Sequence, residues 1–476
     1  MIMPRSYRSG TPIWCQTIST AQLAIVVVHI VLGIWLRRPV PVVGLAVVTG
    51  AMHRSRSIAA LCVLGGLIGV FTSNVAWRDT APDHLGPYTG RACLKTDPAP
   101  KGQAVVVVFE IEGERFQTWA FGSAQRRLSS HLAGECAFVT GNRRSVTGVG
   151  GRRAAIRHIV GDFQLKSVGD WTAGVALDRA SNRVRRLFGS GASELRAPDD
   201  ALFAGLVIGD DRNETPDMVS QFRGSGLSHL TAVSGQNVAF VLAAAAPLLR
   251  RMRSSVRWVV TLVLIGWFAA LTRFEPSVLR AAVMAAIAAT GYLMGRERPA
   301  TRVLTLAVAV LVVLDPLLVW SVGFWLSVGA TAGVALLGTT LAQYIPGPRW
   351  LAVPAAVTIG AQCGVAPVSL LVFGTLPLVS IPANLLAVPV AGFVMLYGLP
   401  GGLVAGALHD VLGGAVASIV QLPSAVGTRW VAVVAGLGAR FEPSTLWAGF
   451  GWACVVVALG CRIVAVRRGR ICQGGG

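Results

Sequence analysis

Long apolar runs, separated by short arginine-rich breaks, fill most of this chain, and one stretch near the N-terminus departs from that pattern. Apolar runs occupy 21–36 and 58–77 and, past residue 200, 201–209, 229–249, 256–272, 277–294, 303–319, 321–341, 351–373, 380–398, 402–435 and 446–466. A helix crosses roughly 30 Å of hydrocarbon with about 20 mostly apolar residues, each rising about 1.5 Å. Backbone in lipid must satisfy its own hydrogen bonds, so these runs predict helices rather than open strands. The run at 39–52 is short for a span. If it crosses, Arg5 and Arg8 lie on the same side as Arg54 and Arg56, and the excess of positive residues in cytoplasmic loops favours crossing. The basic N-terminus shows no small-residue cleavage site after the first run, so a retained helix is expected there. The pattern predicts an all-α polytopic membrane bundle of about 10 to 12 spans.

The exception is 78–200. Here apolar residues alternate or cluster briefly, as in AVVVVFEIEG (104–113), RFQTWAFG (115–122) and CAFVTGN (136–142), and the first two read as a hairpin turning near Glu112-Gly113-Glu114. The stretch carries 18 Lys/Arg against 13 Asp/Glu. With three crossings before it, it faces outside, and long domains translocate largely regardless of charge. Within it, 173–195 sets apolar side chains at near-helical spacing against Arg179, Arg183, Arg185 and Arg186. That pattern predicts an interfacial helix on the bilayer surface, with its arginines at the headgroups. The expected divisions are N-terminal membrane helices (1–77), a soluble β-rich domain (78–170), the amphipathic helix (171–200), a membrane domain (201–466) and a basic cytoplasmic tail (467–476).

Composition sharpens this picture. Of 476 residues 53% are apolar and 13% charged, about half the usual charge of a soluble protein. The net charge of +20 is almost wholly arginine. Cytoplasmic loops account for much of it; attraction to a polyanion, nucleic acid or anionic lipid, stays open beside that reading. The three lysines are Lys95, Lys101 and Lys166, and no G-x-x-x-x-G-K-[ST] occurs, so nucleotide hydrolysis by this chain is not expected. No C-x-x-C, H-x-H or H-E-x-x-H spacing occurs, so neither a metal site, nor a catalytic residue, nor a cofactor is expected. Cys93 and Cys136 are the only cysteines of the soluble stretch, and an oxidising compartment would let them bridge.

The most informative segment is 205–240, GLVIGDDRNETPDMVSQFRGSGLSHLTAVSGQNVAF. A charged loop leads into an apolar run loaded with His229, Thr231, Ser234, Gln236 and Asn237. Read as one helix, Thr231, Ser234 and Asn237 drift only about 60° per step and form a polar stripe. Such a stripe either lines a water-filled cavity or makes interhelical hydrogen bonds. Arg280 lies one turn into another apolar run and must pair, with Glu275 or Asp315, or face water. Asn384 and Gln362 pose the same choice between lining a path and bonding a neighbouring helix.

This segment resembles the signature of the ComEC family, channels that pass single-stranded DNA into bacteria during natural transformation. The resemblance rests on an apolar run ending in Gly-Asp, a polar loop, then F-R-x-x-G-L-x-H-L-x-A-x-S-G. It continues in order through EPSVLRAAVMAAI (275–287), VWSVGFWLSVGATAGVALL (319–337) and IPANLLAVPVAGFVMLYGLP (381–400). It implies a bundle in the bacterial inner membrane carrying an inserted OB-like extracytoplasmic domain at about 88–165. It also implies a DNA path through His229, Thr231, Ser234, Gln236, Asn237, Arg280 and Asn384. On the OB-like domain, Arg126, Arg127, Arg143 and Arg144 would meet phosphate and Trp119 would stack a base. Phe109, Phe116 and Phe121 lie on the same strands, where aromatics either stack bases or form core. The implied partners are single-stranded DNA, the lipid membrane, a DNA receptor on the outer face, a separate cytoplasmic motor or helicase, and further copies of this chain. Two departures stand out. Gln236-Asn237 replaces the Leu-His of many members, and the H-x-H-x-D-H motif of a C-terminal metallo-β-lactamase-like domain is absent, so no nuclease role is expected. One rival is a secondary transporter or flippase of another anionic solute, which needs coupling carboxylates; the spans offer few beyond Glu275, Asp315 and Glu442. The other is a membrane-embedded hydrolase using His229 and Ser234, which sit about 140° apart on a helix and pair poorly.

Overall fold

The computed structural model describes residues 19–231 and 235–473. The chain begins with three antiparallel helices, α1 (Thr20–Leu36), α2 (Pro39–Met52) and α3 (Arg56–Arg78). Ser19 and Gln22 close a capping box on α1, and Ser55 caps α3. Gly33, Gly66 and Gly69 let α1 and α3 approach backbone to backbone, since a Cβ at Gly33 would strike the Gly66 carbonyl and one at Gly69 the Ile30 carbonyl.

The next stretch folds into a small β-barrel. Its strands are β1 (Gly86–Leu94), β2 (Ala99–Lys101), β3 (Ala104–Ile111), β4 (Glu114–Ala120), β5 (Cys136–Ser145) and β6 (Gly161–Thr172). Helix α4 (Gly122–Ser129) joins β4 to β5, and α5 (Gly148–Ala155) joins β5 to β6. The order is β1-β5-β6-β4-β3-β2, and β1 also pairs β3, which closes the barrel. The β4–β6 pair is parallel; the other pairs are antiparallel. The β3–β4 hairpin turns on Glu112 and Gly113, both at positive φ (52° and 87°) as a primed two-residue turn requires. Leu94, Val107, Phe109, Ile111, Phe116, Leu128, Val139 and Phe163 fill the interior. Cys93 faces Cys136 in the β1–β5 register, and a disulfide joins them.

The remainder is helical: α6 (Ala176–Ala192), α7 (Asp199–Ile208), α8 (Pro216–Gly224), α9 (Ser228–Thr231), α10 (Gly235–Leu249), α11 (Ser254–Leu271), α12 (Pro276–Leu293) and α13 (Ala300–Leu314). A 3-10 turn (Pro316–Trp320) leads to α14 (Val322–Gly333), which passes through a wider turn (Val334–Gly338) into α15 (Thr339–Ala342). The chain ends with α16 (Arg349–Phe373), α17 (Ser380–Leu412), α18 (Gly414–Phe441) and α19 (Thr445–Gln473). Among the described residues eight helices are long and apolar enough to cross a membrane, and four shorter apolar helices accompany them: α1, α2, α10 and α13. Helix α19 is the most exposed of these spans, an 18-residue stretch of it being wholly unburied, as a largely lipid-facing helix would be. This is a mostly helical, multi-pass membrane protein with a small β-barrel.

The structure differs from the sequence expectations at three elements. The run 201–209 is not a span but the short helix α7, buried along its length at the centre of the largest apolar core. The break expected near 399–401 is absent. Helix α17 continues through Pro400 for 33 residues, and the chain reverses instead at Gly413 (φ 84°). Helix α6 forms where expected but packs on α17, where Gly191 and Gly406 bring the backbones together. Its arginines are engaged by protein groups, as described next.

Candidate functional site

Two places gather polar groups against apolar elements: the junction between barrel and bundle, and the interior around α12. At the junction, one face of α6 presents Ser181, Asn182, Arg185 and Phe188 inward. Arg185 is 6% exposed. It pairs with Asp97 of the barrel (3.1 Å) and Asp210 of the α7–α8 loop (3.0 Å), and donates to the Leu271 carbonyl at the end of α11 (3.0 Å). Arg273 forks onto Asp97 (2.9 and 3.1 Å) and donates to Asn182 Oδ1 (2.7 Å). Asn182 donates to the Ala133 carbonyl, and Arg212 forks onto Asp210. Asp97 also accepts from the Ala133 amide.

The charges here explain their own titration. Burial alone would raise the Asp97 carboxyl, but Arg185 and Arg273 outweigh it and hold it at about 2. Around the same loop Glu214 meets no arginine among the described residues, and burial, reinforced by Asp211, pushes it up to about 7. The arginines of α6 expected at lipid headgroups are thus partly claimed by the protein: Arg185 as above, Arg186 by Glu135 and Arg179 by the Gly174 carbonyl. Arg183 stays exposed. An arginine in a helix spaced for amphipathicity goes to a carboxylate where one is within reach, because a paired buried charge avoids the cost of stranding one.

In the interior, Glu275 and Pro276 start α12 and Arg280 follows one turn later. Arg280 is 6% exposed. Its Nε donates to Ser327 Oγ on α14 (2.8 Å), and Nη1 reaches Met284 Sδ (3.2 Å). Gly235 at the start of α10 makes room beside it, since a Cβ there would stand 3.2 Å from Nη2. The pairing with Glu275 or Asp315 that the sequence left open is not formed. Asp315 bonds His158 of the barrel, and no carboxylate pairs with Arg280 among the described residues.

The polar stripe is not one helix. Thr231 ends α9 and Gly235 starts α10, and Ser234 lies outside the described residues. Asn237 is buried and donates to the Leu206 carbonyl (3.0 Å), tying α10 to the end of α7. Thr231 is buried, Gln236 half-buried and His229 exposed, its imidazole in reach of the Gly226 carbonyl. Asn384 is buried and donates within its own helix to Ser380 (2.7 Å). Gly235 brings Arg280 beside the start of α10, two residues from Asn237, whereas Asn384 is held in the first turn of α17.

On the barrel, Arg126 and Arg144 are exposed, as is Trp119 (46%). Arg127 spends one nitrogen on the Val168 carbonyl (3.0 Å). Arg143 departs from expectation. It is 8% exposed, pairs with Glu112 of the β3–β4 turn (2.7 Å) and lies over the ring of Tyr88 on the neighbouring strand β1 (5.0 Å), and these two contacts hold it against the barrel. Phe109 and Phe116 are core, and Phe121 is exposed.

Asp97, Asn182, Arg185, Asp210 and Arg273 were missed as a constellation, being far apart along the chain. No local signal marks them: Asp97 has Lys95 and Lys101 close by in sequence, and the arginines it meets, Arg185 and Arg273, lie 88 and 176 residues further on.

A family model described as competence protein matches residues 206–468. The uncharacterized protein YcaI of Escherichia coli is 32% identical over 216 residues, which cover 41% of this chain and 28% of that protein. ComE operon protein 3 of Bacillus subtilis is 28% identical over 215 residues, covering 44% and 27%. Competence protein ComA of Neisseria gonorrhoeae is 27% identical over 369 residues, covering 70% and 51%. The aligned part of this chain thus spans 27% to 51% of these relatives' length. No solved structure matches the chain.

Proposed function

This chain belongs to the competence protein family, and on that premise we propose that it is an inner-membrane channel conducting single-stranded DNA into the cytoplasm during natural transformation. The observation that carries the reading is Arg280: a cation inside a membrane-spanning helix, bonded to a hydroxyl and a thioether and paired with no carboxylate among the described residues. A buried charge without a counter-ion is costly, and a passing phosphate would supply the missing anion. A secondary transporter of another anionic solute would leave this arginine the same partner but needs titrating carboxylates in the spans, which are sparse.

The barrel reads as an OB-like domain. Leaving aside the short β2, the order β1-β3-β4-β6-β5 closes on β1, with one parallel pair (β4–β6) and helix α4 between β4 and β5, the third and fourth strands along the chain. Such barrels track single strands with basic side chains and stack bases on aromatics, and Arg126, Arg144 and Trp119 are the exposed groups suited to this. It would stand outside the membrane, receive DNA from an outer-face receptor and hand it to the bundle. Movement inward would be driven by a separate cytoplasmic motor or helicase. The chain itself would carry no catalysis and would work alone or as several copies. The test is a chromosomal deletion complemented in trans. The reading predicts that transformation frequency falls with the deletion and returns with the wild-type chain. Unchanged transformation in the deletion strain would refute it.

A further inference from the structure

At one end of the bundle α10, α11 and α12 enclose a cleft of 260 Å³. Helix α11 finishes beside Arg273, which grips the barrel, so its first turn lies about 27 Å away at the opposite end. The cleft sits there, between the end of α10, the start of α11 and the end of α12. Its wall is apolar, formed by Leu249, Ala289, Leu293 and the ring of Trp258. Trp258 is fixed by its indole N–H, which donates to Thr290 Oγ1 (3.1 Å). Arg250 and Arg257 stand at the rim, and the Arg257 guanidinium lies 4.9 Å over the Tyr292 ring. Arg251 and Arg253 follow on the same turn, and none of these four arginines forms an ion pair among the described residues.

We propose that this cleft binds an anionic phospholipid, with an acyl chain against Leu249, Ala289 and Leu293 and the phosphate diester between Arg250 and Arg257. Three features select this occupant. The wall offers hydrocarbon where a nucleotide would need hydrogen-bond partners. Unpaired guanidiniums match a phosphate monoanion. Tyr and Trp beside a helix end mark headgroup depth, and arginine-rich helix ends lie by preference at the cytoplasmic leaflet, where anionic lipids give each nearby cation a favourable contact. The inference stands apart from what the bundle conducts.

The test is native mass spectrometry of the purified full-length chain in detergent, titrated with phosphatidylglycerol, phosphatidylcholine or a single-stranded oligonucleotide. The wild type retains phosphatidylglycerol over phosphatidylcholine. The double variant Arg250→Gln/Arg257→Gln loses about tenfold of that preference, and Ala289→Phe, which fills the cleft and leaves its charges, loses it too. If the double variant does not accumulate, Ala289→Phe decides alone. Equal retention of the two lipids by the wild type overturns the proposal. So does an unchanged preference in Ala289→Phe, or displacement of bound phosphatidylglycerol by the oligonucleotide, which would give the arginines to a nucleic acid.

Discussion

Single residues carry charge where the surroundings are apolar, and their fates differ by what lies opposite. Asp97 is ionised because two arginines face it. Its folded-state value of about 2 lies below the ordinary 3.8, so its contribution is present above pH 4 and is lost as pH falls through about 2. That loss is worth about 2 kcal/mol. Asp97→Asn strands two arginines and should cost about 3 to 5 kcal/mol at neutral pH, while flattening the acid-side loss. Melting of the solubilised protein from pH 6 to pH 2 measures both. On the barrel, Arg143 and its neighbour Arg144 separate two roles. Arg144→Gln should weaken binding of a single-stranded oligonucleotide and lower its salt slope by about 0.7 at unchanged stability. Arg143→Gln leaves Glu112 unpaired and Tyr88 uncovered, so it should lower the melting temperature of the barrel instead. Titrations at two salt concentrations, beside a melt, tell these outcomes apart. The apolar pattern ends its strand at 142, just before Arg143 and Arg144, and which of them is held against the barrel depends on Glu112 in a distant turn, which local sequence does not reveal.

Helices were legible wherever an apolar run was long, because hydrocarbon length is written directly into residue count. The failures come from packing. Helix α7 has the composition of a span fragment and is instead wrapped by α6, α17 and α18. Pro400 and its adjoining glycines looked like a break, yet α17 passes through them, since neighbouring helices tolerate a proline that the sequence flags as a stop. The same glycines have another use. Gly402 and Gly406 admit the backbone of α6 at Gly191 and Leu187, the kind of close approach that small residues allow. Gly406→Leu should therefore part α6 from α17 and, through Arg185, loosen the barrel junction. The expected result is faster cleavage by limited proteolysis near residue 175, with Gly449→Leu, at a position facing open space, as the unaffected control.

At the scale of the whole molecule, a barrel is held on a membrane bundle by ion pairs between Asp97, Arg185, Asp210 and Arg273, and the cation-lined cleft lies at the bundle's other end. The orientation proposed puts the barrel outside and the arginine-rich loops inside. Alkaline phosphatase fused near Gly141 should be active and fused near Arg298 inactive, and the reverse pattern would invert the account. The candidate path was legible only in part. Arg280 announced itself as a charge in an apolar run, but Asn237 proved to be a brace on α7, a use that local sequence does not distinguish from lining a pore. The central claim rests on Arg280, and the most direct measurement is nuclease-protected labelled DNA in competent cells carrying the wild type, Arg280→Gln or Arg280→Lys at equal membrane abundance. The account predicts a loss on the order of tenfold or more in Arg280→Gln, with surface-bound DNA unchanged and partial recovery in Arg280→Lys. Protected DNA at the wild-type level in Arg280→Gln would contradict it.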